Sequence, residues 1–338
     1  MMDTLTHLAM GISLAGLAHL SPEVASDPNT MQAVAITTII GSQLPDIDIY
    51  YRFVSDAKYV KNHRGWTHSL PMLIIWPILL TLGVQWFFPG VSAGLLGLWA
   101  TMAVWIHMFI DVFNPYGSQI LRPMSKKWVT LSTINIFDPY IFAAHIVGFI
   151  LWWKTSIPPG HIFGWMYGLT VIYIAARSYV HCRKQKLFKK LAPYGNTCNK
   201  ETIIPTFDGY RWKTVQELDG EVKHGVMSNM NWTEEIAIHP KSHQHQAVVA
   251  SLETEAVQAL RDVSSYAYPL LQKHGKAIEV CWVDARFHYQ GHFPFMAIVL
   301  LSSSNQVLDS FVGWMSLKKK AKKIKKALDR VGESVWRK

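Results

Sequence analysis

The sequence KNHRGWTHSL (61–70) sets His63 and His68 around Arg64 and Gly65, immediately before a long apolar run. LPDID (44–48) supplies Asp46 and Asp48, and His7 opens the first apolar stretch. In WIHMFIDVFNPYGS (105–118), His107 and Asp111 are four apart and so share one helix face, with Asn114 following. Ionisable groups inside an apolar helix are costly and are candidates for function. Four imidazoles and three carboxylates make a nitrogen and oxygen ligand set without sulfur. Imidazole favours zinc, and carboxylate also accepts manganese or magnesium. The set suffices for one or two ions in a catalytic centre, where bound water becomes hydroxide near neutral pH. Some carboxylates could instead orient the imidazoles from behind. Asp46, Asp48 or Asp111 could act as general base. Arg64 could grip an anionic group or merely mark the cytoplasmic side. Gly65 could turn the backbone between the two histidines, and Thr67 and Ser69 could cap the next helix.

The elements that must position these groups are apolar. Of 338 residues 50% are hydrophobic and 17% charged, against about 25% charged in a soluble protein. The apolar runs concentrate before residue 182. Stretches 71–88, 91–112, 140–153 and 162–180 read as membrane spans, and 5–20 and 31–44 as weaker ones, against the ~20 apolar residues a spanning helix needs. With six spans and both termini cytoplasmic, one set of loops carries Arg52, Lys58, Lys61 and Arg64, then Arg122, Lys126 and Lys127, then Arg183 to Lys190. The opposite loops carry only Lys154. That asymmetry follows the positive-inside rule, and it brings every candidate ligand to one depth at the cytoplasmic face. The expected location is therefore the plasma membrane, multi-pass.

The texture changes near residue 196. Stretches 277–287, 295–302 and 307–314 read as an antiparallel meander, and Thr254 reads as the cap of a helix from Glu255 towards Tyr266. The expected fold class is an α-helical multi-span membrane domain over 1–190, followed by a small soluble cytoplasmic α+β domain over 196–338. The latter ends in a basic helix with Leu317, Ala321, Ile324, Leu328 and Val331 on one stripe. Its basic stretch, from Lys318 to Lys326, could meet anionic lipid or dock on its own domain. Nucleic acid is disfavoured because no recognition motif accompanies the net charge of +10. Three cysteines (Cys182, Cys198, Cys281) without CxxC spacing argue against disulfides or a thiolate metal site. The oligomeric state is left open.

MDTLTHLAMG, LPDID, HRGWTHS and HMFIDVFNPYGS together resemble the YdjM-like family of membrane-bound, metal-dependent hydrolases, in its Bacillus YfhP-like branch. The resemblance implies a multi-span helical domain and a divalent-metal site at His7, Asp46, Asp48, His63, His68, His107 and Asp111. It supplies no substrate. A lipid or lipid-linked phosphoester follows from a site at headgroup depth, with Arg64 and Asn114 as substrate contacts. The absence of HExxH disfavours a zincin-type protease, and there is no Walker A loop or Gly-rich nucleotide fingerprint. The alternative is a membrane-tethered transcriptional regulator with a structural or sensory metal site.

Overall fold

The computed structural model describes residues 4–191, 200–218, 220–228, 231–240, 244–289 and 291–336, with side chains to 330. Cys198 and the side chain of Val331 lie outside the described residues. The chain forms two compact units. The first comprises 1–48, 64–187 and 204–211, and the second comprises 49–63, 188–203 and 212–338.

Helices form at all six places where hydropathy predicts spans. They are α1 (Thr4–Leu17), α3 (Pro28–Gly41, after the short α2 at Pro22–Ser26), α5 (Met72–Phe87), α6 (Ala93–Phe113), α7 (Pro139–Lys154) and α8 (Pro159–Leu191); α4 (Asp56–Asn62) falls between α3 and α5. The six expected spans are not all matched by helices of spanning length and apolarity. Among the described residues one helix, α6, is by itself long and apolar enough to cross a membrane. At 1.5 Å per residue, the 14 residues of α1 or α3 rise about 21 Å, short of a ~30 Å hydrocarbon core.

The first unit has an apolar core, with Leu14, Ala33, Val34, Leu96, Ala100 and Ala103 buried together, and polar groups are buried beside it. Its interior holds Thr6, His7, Ser13, Thr37, Thr38, His107, Asp111 and His145, while Ile74, Ile78 and Leu82 of α5, Trp153 of α7 and Val171 of α8 are exposed. Capping follows simple rules: Asp27 and Asp138 accept from the first amides of α3 and α7, with proline at the first helical position of each.

In the second unit, α9 (Gln246–Leu252) and α10 (Glu255–Val263) precede strands β5–β8; a separate sheet has the order β1-β2-β3-β4, with β2, β3 and β4 pairing antiparallel, and the division between the units falls within β1. The latter strands are Lys200–Pro205, Trp212–Leu218, Glu221–Ser228 and Asn231–Ile238. Thr254 caps α10 as predicted, accepting from the amide of Val257. Strands β5 (Ala267–His274), β6 (Ala277–Asp284), β7 (Phe295–Leu301) and β8 (Val307–Trp314) pair in sequence order. The last three answer to the predicted meander. β7 is buried at every position and β6 at all but one, so this sheet is covered on both faces.

The basic helix α11 (Leu317–Trp336) docks on its own sheet. Lys320 Nζ lies 2.7 Å from the buried Glu279 carboxylate, and Ile324 and Ala327 are buried. Cys281 is buried beside them, and its thiol is pushed up to about 12, mainly by desolvation. Cys182 is exposed.

Candidate metal centre

Four elements of the first unit deliver the polar groups. α1 provides His7, and the 3₁₀ stretch beginning at Leu44 provides Asp46 and Asp48. The 3₁₀ turn Trp66–His68 provides His68, and α6 provides His107 and Asp111. Close approach of α1 to α3 depends on Gly11, where a Cβ would sit 2.2 Å from Ser42 Oγ.

Asp46, His68, His107 and Asp111 converge, with one ligand atom of each within 4.8 Å of all the others. The two Nε2 atoms of His68 and His107 are 3.3 Å apart. Asp111 Oδ2 lies 3.2 Å from His68 Nε2 and 3.6 Å from His107 Nε2. Asp46 Oδ1 lies 3.6 Å from both. A tetrahedral zinc site with ~2.0–2.2 Å bonds has edges of roughly 3.3–3.6 Å. The spacing of the four atoms therefore fits a single ion.

The hydrogen-bond network fixes which nitrogens face that point. His107 Nδ1 is 2.7 Å from the carbonyl of Ser42, which can only accept, so Nδ1 carries the proton. Ser42 caps the C-terminus of α3, where carbonyls lack helical partners. Thr67 Oγ1 donates to Asp48 Oδ2 at 2.8 Å, so at 3.0 Å it accepts from His68 Nδ1. As neutral imidazoles, both histidines thus present Nε2 lone pairs to each other at 3.3 Å, with no proton between them. A shared cation resolves that juxtaposition, and the orienting partners are of the kind that position metal-bound imidazoles.

The remaining predicted residues take other places. His7 Nε2 is 3.2 Å from Asp111 Oδ1, and its ring stacks on His107 at 3.9 Å. Asp48 is fully buried and accepts from Arg64 N and Thr67 Oγ1, both at 2.8 Å, so it holds the His68 turn in place. His63 ends α4 with its ring stacked on Tyr59. Arg64 is 1% exposed and pairs with Asp111 Oδ1 at 2.7 Å, so it neutralises a buried carboxylate instead of reaching into solvent. Asn114 Oδ1 accepts from the amides of Tyr116 and Gly117, shaping the turn after α6. Its Nδ2 leans towards Asp111 Oδ1 at 3.5 Å.

The turn between the two histidines is made at Arg64, with φ 61°, whereas Gly65 has a negative φ. Glycine chemistry is required instead at Gly117, with φ 75° and a would-be Cβ 2.3 Å from the Val129 carbonyl. Ser69 does not cap α5, which starts behind Pro71; it closes the Trp66–His68 turn, its amide donating to the Trp66 carbonyl at 3.1 Å. The sequence reading missed Ser42, whose contribution is a backbone carbonyl and leaves no side-chain signature.

Comparison with known proteins covers both parts of the chain. The family of YdjM inner membrane proteins matches residues 2–182, and the YfhP C-terminal alpha/beta plait domain matches 246–324. The uncharacterized protein YfhP of Bacillus subtilis (strain 168) is 34% identical over 328 residues, which cover 95% of this chain and 98% of the relative. No solved structure matches. On the match across its helical half and on this full-length relative, the chain belongs to the YdjM inner membrane protein family.

Proposed function

We propose that the protein is a metal-dependent hydrolase of the bacterial inner membrane, acting on a lipid or lipid-linked phosphoester at the cytoplasmic surface. The observation that carries this reading is the pair of Nε2 atoms 3.3 Å apart, flanked by the Asp46 and Asp111 carboxylates. A divalent ion, zinc first by the imidazole content, would supply Lewis acidity towards a phosphoryl oxygen and lower the pKa of a coordinated water. Asp46 is the group suited to take up or release a proton, since at 16% exposure it reaches the surface while Asp48 and Asp111 do not. Arg64 and His7 hold Asp111 from behind.

Six spans with both termini cytoplasmic remain part of the proposal. What supports them is the charge asymmetry of the loops and the large apolar side chains exposed on α5, α7 and α8. Short helices such as α1 and α3 would cross as packed partners of α6 with local bilayer thinning. Of the apolar stripe of α11, Ile324 is buried and Leu328 half-buried, while Leu317 and Ala321 are exposed. Lys318, Lys319, Lys322, Lys325 and Lys326 remain exposed, which supports electrostatic contact with anionic lipid.

The test is turnover of a panel of phospholipids and polyprenyl phosphates by purified protein, stripped of metal and then reloaded with zinc, manganese or magnesium. Hydrolysis should require metal and should fall by roughly 100-fold or more in His68→Ala. Metal-loaded protein that turns over no member of the panel, with specific DNA binding by the full chain, would favour the regulator instead.

A further inference from the structure

We infer that Arg122, rather than Arg64, is the cation that meets the anionic group of the substrate, a lipid phosphate arriving over an exposed rim of Trp66, Leu121 and Met124. The inference rests on the hydrolase reading above. Arg64 is already engaged: its guanidinium pairs with Asp111 and leans towards the Gly117 carbonyl inside the unit.

Arg122 stands beside the same segment from outside. Its guanidinium lies 5.3 Å over the ring of Trp66, the residue between the Arg64–Gly65 turn and Thr67–His68. Backbone bonds fix that placement. The amide of Leu70 donates to the Arg122 carbonyl at 3.2 Å, the amide of Gln119 to the Arg64 carbonyl at 2.9 Å, and the amide of Arg122 to the Gln119 carbonyl at 3.0 Å. The loop 119–122 is thus stitched to the strip of chain that carries His68.

The side chain is poised for a ligand. Among the described residues its guanidinium enters no ion pair, and its Nε is buried without a hydrogen-bond partner. A guanidinium stacked on an indole face keeps its in-plane N–H donors, and their fork matches phosphate. A half-buried cation without a counter-charge is costly, so an anion is its natural occupant.

The surroundings select the kind of anion. Trp66 is 53%, Leu121 40% and Met124 76% exposed, and Lys126 and Lys127 beside them are exposed as well. Large apolar groups interleaved with cations suit an anionic headgroup that carries an acyl chain, more than a free inorganic ion.

The experiment measures binding to the metal-loaded full chain in detergent, with two probes: dihexanoyl phosphatidic acid and inorganic phosphate. Arg122→Gln should weaken both by about 10-fold or more, the loss of one charge-assisted contact, while metal content and melting temperature stay at wild-type values. Arg122→Lys should recover part of the loss. Met124→Ser, at an exposed position, should weaken the lipid probe and leave phosphate unchanged. Unchanged binding of both probes by Arg122→Gln would overturn the inference, as would loss of metal in that variant, which would make Arg122 structural. Equal binding of lipid and phosphate, untouched by Met124→Ser, would overturn the assignment to lipid. A wild type that binds the lipid probe through Arg122 yet hydrolyses nothing would sink the hydrolase reading alone.

Discussion

Asp111→Asn is expected to abolish metal binding and to destabilise the helical unit by about 3–5 kcal/mol, the usual consequence of leaving a buried charge without its partner. Asp111 is 1% exposed. One oxygen faces His68 and His107 at 3.2 and 3.6 Å, and the other accepts from Arg64 at 2.7 Å and meets His7 at 3.2 Å. Asparagine keeps the shape but removes the charge. The ion then loses an anionic ligand and the Arg64 guanidinium is stranded in the interior. Thermal unfolding in detergent and metal analysis check the two halves separately. Glutamate at this position keeps the charge but adds a methylene to a packed site, so it should regain stability before it regains metal.

Arg64→Gln is expected to cost a similar amount in the metal-free protein and to behave differently once metal is added. The carboxylate left behind still faces the two imidazoles, now with one positive charge fewer nearby. Metal should therefore bind at least as well as in the wild type. A ligand at 100 times its dissociation constant stabilises by about 2.7 kcal/mol. The melting temperature of Arg64→Gln should thus rise steeply with added zinc, while that of Asp111→Asn should not move. Melting curves with and without zinc make the comparison. Equal responses would mean that Arg64 does not act through Asp111.

Much of the helical unit can be read from the sequence because apolar runs and helix ends are local properties. Asp27 before Pro28 and Asp138 before Pro139 announce helix starts within four residues. His107 and Asp111 are legible for the same reason, since a spacing of four inside an apolar helix fixes a common face. What each group does is not local. Arg64 reads equally as an anion-gripping group or a topology signal until its partner, Asp111, is known. The orientation of His107 comes from a carbonyl 65 residues away. In the C-terminal part β6 to β8 stand out as runs of Val, Ile, Phe and Trp. β2 and β4 escape notice because Lys213, Gln216, Glu217, Glu234 and Glu235 interrupt them, and β4 is largely exposed. Span number is the least legible quantity, because a short helix can cross only with the support of its neighbours.

Two imidazole nitrogens and two carboxylates are proposed to close on one divalent ion. The most direct measurement is metal content per chain, by elemental analysis of protein purified without chelators, for the wild type, His68→Ala and His107→Ala. About one equivalent in the wild type is expected from a four-ligand site, falling below a tenth in each variant while the melting profile still shows a folded protein. A metal-free wild type, or folded variants that retain the wild-type content, would contradict the claim.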